Sequence, residues 1–258
     1  MLQFNQRTQN LFKPDQKEPF KLSRTRLELF YNCPRCFYLD RKLGIDRPPM
    51  PSFSLNSAVD ELLKREFDIH RAKGVSHPLM TAYKIKAVPF SHPKMKEWRD
   101  VFSGIRVWHK ETNLLLFGAI DDIWQGPNHE LFIVDYKATS TGNSINLDDE
   151  YKKQYKRQME IYQWLARSSE DFKDYKISDT GYFVYCNGRK DKQAFDARLE
   201  FSVEIIPYQG NDFWVEPEII RAHECLIQDK IPEPNPNCDY CQYLKAINRE
   251  TARSPLPL

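Results

Sequence analysis

The sequence predicts an α/β fold built on a mixed sheet. Three observations carry that prediction. Three strand-like runs follow one another between residues 104 and 138, a helical pattern stands on either side of them, and a further strand-like run follows the second helix. No Gly/Ser-rich or Pro-rich linker interrupts these segments. One domain is therefore expected over residues 23–245, with 1–22 a flexible arm and 246–258 a frayed tail.

Taken in order, Ser23 ahead of RTRLELFYNC reads as a capped helix start, with Leu27, Leu29 and Phe30 as apolar contacts. Pro34 interrupts it and leaves CPRCFYLDRKLG as a second short helical piece. Ser54 precedes a longer helix over about 55–72, in which Val59, Leu62, Leu63 and Phe67 recur at helical spacing. Pro78, Pro89 and Pro93 make the stretch from Gly74 to Asp100 loops with short helical turns. The strands are GIRVWHK (104–110), LLLFGAIDDIW (114–124) and ELFIVDYKA (130–138). Their connections, ETN and QGPNH, suit hairpins, so a three-strand meander is expected. A helix over about 149–167 follows, with Tyr155, Met159, Tyr162 and Leu165 on one face. TGYFVYCNG (180–188) is a strand, RLEFSVEIIPY (198–208) alternates like a half-buried one, and a last helix spans about 214–228.

At 41% hydrophobic and 29% charged, the 258-residue chain has the composition of a soluble globular protein, and 13% aromatic content argues against disorder. No run approaches the roughly 20 apolar residues of a membrane span. The first 20 residues lack the apolar middle of a signal peptide, so a cytoplasmic location and no membrane partner are expected. A net charge of +2 does not mark a strongly basic nucleic-acid binder, although Lys152, Lys153, Lys156 and Arg157 cluster locally.

The chemistry concentrates in IVDYKATS. With a side-chain period of two, Asp135 and Lys137 project from one strand face while Val134 and Tyr136 take the other. Burying a carboxylate and an ammonium together is costly unless they serve each other or a ligand. The preceding run, GAIDDIW, sets Asp121 or Asp122 against this pair across the hairpin. Converging carboxylates suit a hard cation such as Mg²⁺ or Mn²⁺, and the Tyr136 backbone carbonyl offers another oxygen. Such an ion acidifies water and neutralises phosphate charge, with Lys137 placed to orient the water or steady the transition state. The alternative is a structural ion pair at a strand end.

GAIDDIW, IVDYKATS and the Gln158 and Tyr162 of RQMEIYQWL together resemble the signature of the PD-(D/E)XK nucleases of the RecB type. That group includes the nuclease domains of RecB and AddB and the CRISPR-associated exonucleases. The resemblance covers roughly residues 23–245 and implies a restriction-endonuclease-like core. It implies metal binding by Asp121 and Asp135, catalysis by Lys137, and a substrate groove lined by Gln158 and Tyr162. The substrate would be DNA, single-stranded or at an end, in repair, recombination or CRISPR-type processing, with a helicase or other DNA-processing protein as a possible partner. Gln158 and Tyr162 share a helical face by spacing alone, and Lys156 and Arg157 beside them suit a phosphate backbone. One departure stands out. Where the family places His or Glu on the early helix, SLNSAVDELL has Asp60, with Glu61 next to it as the alternative metal ligand. Loss of catalysis on a retained scaffold, leaving a nucleic-acid-binding module, is the competing reading.

Cys33 and Cys36 in CPRC, and Cys238 and Cys241 in CDYC, form two CxxC pairs near opposite ends of the sequence. Four thiolates suit one Zn²⁺ in tetrahedral array, or an iron–sulfur cluster. Relatives of RecB type also join their chain ends at a cluster, which implies [4Fe-4S] here. Their cysteines divide one early and three late, whereas these divide two and two, so zinc stays open. Either occupant is expected to clamp the chain ends. Cys186 and Cys225 read as small buried apolar residues.

Overall fold

In the computed structural model, which describes residues 6–48 and 54–253, the alternating runs become the strands of two sheets. In chain order the elements are β1 (Phe20–Ser23), α1 (Arg24–Asn32), α2 (Pro34–Arg41), α3 (Ser54–Lys73), α4 (Pro78–Ala82), β2 (Val88–Pro89), α5 (Met95–Trp98), β3 (Ile105–His109) and β4 (Leu114–Gly118). They continue with β5 (Asp122–Gln125), β6 (Glu130–Thr139), α6 (Lys153–Ser168), β7 (Lys176–Ile177), β8 (Thr180–Gly188), β9 (Phe201–Gln209), α7 (Val215–Ile227) and α8 (Asp239–Arg253). The described residues fall into two compact units. One takes the chain up to 48, Trp108–Leu116 and the chain from Glu216 onward; the other takes the chain from 54 to Val107 and Phe117–Val215.

The second unit carries a six-stranded sheet in the order β2-β5-β6-β8-β9, with β7 also pairing β6. β5 runs antiparallel to β6, β6 parallel to β8, and β8 antiparallel to β9. The sheet is therefore mixed, as the sequence predicts. Joining β6 to the parallel β8 needs a crossover, and α6 supplies it. Side chains of alternate residues go to opposite faces. Val134 and Tyr136 face α3, in a core with Leu63, Phe67, Trp124 and Val184. Phe67 is its hub, stacked on His77 at 4.4 Å and Trp124 at 5.4 Å between ring centroids. Burying such a ring contributes about 1.5–3 kcal/mol. α6 is buried all round from Met159 to Ala166, with the polar Glu160 and Gln163 included.

Three differences from the sequence reading have local causes. The run 114–124 is two strands, and they belong to different sheets: β4 lies between β1 and β3, while β5 pairs β6. The break comes where the Ile120 N–H donates to the Trp98 carbonyl at 3.1 Å instead of to a strand neighbour. Just upstream, Gly104 adopts φ +63 with its Cα facing the Gly118 carbonyl, and a Cβ there would sit 2.4 Å from that oxygen. On α3, Leu62 is 61% exposed while Val59, Leu63 and Phe67, spaced by four, form the packed stripe. β2, inside the stretch read as loops, is only two residues long and pairs β5.

In the first unit, the part of the expected arm that is described holds the buried Phe12, Phe20 and Leu22, and β1. The described part of the expected tail continues α8 as far as Arg253.

Candidate functional site

β6 brings Asp135 and Lys137 to one face of the sheet, and α6 lies over that face. Asp135 is fully buried. Its carboxylate pairs with the Lys137 ammonium, and its Oδ1 accepts from Gln158 Nε2 at 2.9 Å. Gln158 uses its whole amide here: Nε2 also donates to the Tyr162 hydroxyl at 3.2 Å, and Oε1 accepts from Lys137 Nζ at 3.4 Å. The Lys137 ammonium lies 4.7 Å from the Tyr155 ring centroid. Burial would lower the Lys137 pKa, but Asp135 and Asp121 outweigh it and raise the pKa above its ordinary 10.5. Lys137 is thus a cation throughout the neutral range.

Asp121 occupies the break between β4 and β5. Its Oδ2 accepts the Tyr136 backbone N–H at 2.8 Å, which draws the carboxylate to the edge of β6. β5 begins at Asp122, opposite Val134, so from Asp135 onward β5 does not cover that edge. The N–H and C=O of one strand residue point to the same side, so the Tyr136 carbonyl opens toward Asp121 as well.

Asp122 faces the other way. Fully buried, it pairs with Arg71 and, at 2.9 Å, with Arg99. It also accepts from the Ile123 N–H and the Tyr136 hydroxyl, each at 2.8 Å. Burial first, then the neighbouring Asp122 charge, holds the Tyr136 phenol well above its ordinary pKa. Arg99 Nε donates to the Asp121 carbonyl at 2.8 Å, so this buried group fixes the backbone that carries Asp121.

α3 adds Asp60 and a residue the sequence reading passed over. Lys64 Nζ lies 2.7 Å from Asp60 Oδ2 and 3.2 Å from Asp121 Oδ1, bridging helix and strand break. The signal was present, since Lys64 stands four residues after Asp60 and so shares its helix face. Burial and repulsion from Asp121 raise the Asp60 pKa against the pull of Lys64 and Lys137. Lys64 is also raised: burial opposes the charge, but Asp121 and Asp60 prevail. One ammonium thus serves two carboxylates. Glu61 is turned to solvent and pairs with Arg65.

The expected phosphate contacts divide. Lys156 pairs with Asp148 at 3.2 Å and stands 5.8 Å from the Tyr208 ring, and Arg157 lies on the same helix. Lys152 is buried, tied to the Asn146 carbonyl at 2.7 Å and to Asp149 at 2.8 Å. Tyr162 is buried against Gln158.

Asp60, Asp121, Asp135 and the Tyr136 carbonyl offer hard oxygens, the chemistry that suits Mg²⁺ or Mn²⁺, but the three carboxylates do not lie within 4.8 Å of one another. Lys64 and Lys137 now balance those acids. Among the described residues, the ligand set whose atoms lie within 4.8 Å of one another is a different one: Cys33, Cys36, Cys238 and Cys241, in the first unit. Each CxxC straddles a helix start. Cys33 and Cys238 precede α2 and α8, and Cys36 and Cys241 lie in their first turns. Backbone N–H groups at a helix N-terminus favour thiolate. The set can hold a metal.

A model of the PD-(D/E)XK nuclease superfamily matches residues 53–246, a span that includes the acids, both lysines, Gln158 and the second CxxC. Among curated proteins none matches the chain. Among solved structures, SSO0001 is 16% identical, with 89% of this chain and 86% of that one covered at a TM-score of 0.43. No helix among the described residues is long and apolar enough to cross a membrane.

Proposed function

Because the chain belongs to the PD-(D/E)XK nuclease superfamily, we propose that it is a divalent-metal-dependent nuclease that hydrolyses DNA phosphodiester bonds. Asp121, Asp135 and Lys137 would form its centre. One observation carries the reading: Gln158 on α6 engages both Asp135 and Lys137, while Asp121 binds the backbone between them. Three separated stretches of sequence thus close on one point at an open strand edge.

Asp121, Asp135, Asp60 and the Tyr136 carbonyl would hold Mg²⁺ or Mn²⁺, which when bound supplies acidified water and offsets phosphate charge. The protein's own contribution is positional. Lys137, being an ammonium, accepts no proton. It donates N–H to water or to a phosphoryl oxygen, and its charge opposes the negative charge that builds there. Gln158 locks the Asp135 carboxylate in one orientation. Lys156 exchanges Asp148 for a backbone phosphate, with Arg157 beside it on α6, while the buried Tyr162 acts on the site through Gln158. A single strand or a duplex end gives the backbone access to this edge. That preference, a role in repair, recombination or CRISPR-type processing, and a helicase partner all rest on the likeness to RecB-type enzymes.

A second reading has its own support. Lys64 already pairs with both Asp60 and Asp121, as it would in a nucleic-acid-binding module without catalysis. Matched single- and double-stranded DNA and RNA, labelled at either end, separate the readings when incubated with Mg²⁺, Mn²⁺ or EDTA. The nuclease reading expects DNA shortened only with metal. Binding of intact DNA under every condition would favour the module.

A further inference from the structure

We propose that Cys33, Cys36, Cys238 and Cys241 hold a single tetrahedral zinc ion, with Arg47 donating to the sulfur of Cys238 as its charge partner. The spacing of the sulfurs carries this. Sγ atoms of Cys33 and Cys241 lie 3.8 Å apart, those of Cys36 and Cys238 3.7 Å, and those of Cys36 and Cys241 3.6 Å. Four thiolates around one ion at about 2.3 Å, the usual zinc–sulfur distance, stand about 3.8 Å from one another at the corners of a tetrahedron. A [4Fe-4S] group places a cube of irons and sulfides between its thiolates and spreads them well beyond that separation. The cluster that resemblance implies does not fit these sulfurs. One ion does.

The surroundings agree in charge. Four thiolates and Zn²⁺ sum to −2, a cost in a site where three of the four cysteines are buried. Two helix starts face the sulfurs. Arg47 Nη2 lies 3.4 Å from Cys238 Sγ, and its guanidinium stacks 4.5 Å from the centroid of the Tyr240 ring, inside the second CxxC. The aromatic face holds the cation in register with the thiolate, as outer groups orient metal ligands elsewhere. A redox-inert ion with four protein ligands has no open position, so it joins the two CxxC segments and performs no reaction.

The test is metal and sulfide analysis of the whole protein, prepared without oxygen from cells supplied with both iron and zinc. The inference expects one zinc per chain, no acid-labile sulfide and no absorbance band near 400 nm. Replacement by Co²⁺ should give the visible bands of a tetrahedral tetrathiolate. Iron in place of zinc, with or without sulfide, or four free thiols with no metal, would overturn it. Because a cysteine variant can fail to fold, Arg47→Met provides the second measurement. It should keep the ion but bind it roughly 10- to 100-fold more weakly against a chromogenic chelator. Unchanged affinity would remove Arg47 from the site. Neither result depends on whether the protein cuts DNA.

Discussion

Gln158→Leu isolates what the α6 amide does for the DxK strand. The wild-type side chain gives Asp135 a hydrogen bond at 2.9 Å, and its contact with Lys137 is longer, 3.4 Å. The first is the stronger, since a hydrogen bond to a charged group contributes about 1.5–3 kcal/mol. Asp135 is fully buried, so water does not replace the lost donor freely. If that whole amount is expressed in holding the carboxylate for the reaction, kcat falls roughly 10- to 150-fold, at about 1.4 kcal/mol per decade. Single-turnover cleavage of end-labelled single-stranded DNA in Mn²⁺ measures the chemical step, and KM is read from the same titration. A thermal melt checks that the fold survives. The reasoning expects a loss in kcat with KM nearly constant. A higher KM at unchanged kcat would refute it and return Gln158 to a purely substrate-binding role.

Other expectations follow from the same neighbourhood. Asp122→Ala leaves Arg71 and Arg99 without their buried partner and should cost about 3–5 kcal/mol, a drop in Tm on the order of 10 °C; a melt within 2 °C of wild type would contradict the account of that cluster. Lys64→Met frees Asp60 and Asp121, so Mn²⁺ should bind roughly three- to tenfold more tightly by calorimetry. Equal or weaker binding would show that the ammonium does not compete for those acids. Gly104→Ala forces a Cβ against the Gly118 carbonyl at positive φ and should destabilise by about 1–3 kcal/mol in denaturant unfolding. An unchanged midpoint would contradict the strain argument.

The parts of the molecule readable from sequence are those where local periodicity and tertiary role coincide. Asp135 and Lys137 face the opposite way from Val134 and Tyr136 because strand geometry leaves no choice, and alternation alone reveals it. α3 and α6 carry apolar stripes long enough to fix their extent. The break at Ile120 was hidden because residues 114–124 are strand-like throughout; only the hydrogen bond to Trp98 divides them. β2 has two residues and no pattern of its own. In α8 every described residue is at least partly exposed, so no core stripe marked it beforehand. In the candidate site, strand geometry alone does not separate the adjacent acids Asp121 and Asp122, and only the family resemblance singles out Asp121. Arg71 and Arg99, distant along the chain, decide which of them turns inward. Lys64 was legible by its spacing from Asp60, but a lysine on a helix reads as solvated until Asp121 is seen opposite it.

The central claim is that Asp121, Asp135 and Lys137 act together in hydrolysis. Its most direct test compares wild type with Lys137→Met, which keeps the length of the side chain and removes the charge, on labelled single-stranded DNA with Mn²⁺. The account predicts metal-dependent cleavage by wild type, abolished by EDTA and lowered by several orders of magnitude in the variant, with DNA binding largely retained. Cleavage by the variant at the wild-type rate, or no cleavage by wild type with either metal, would contradict it.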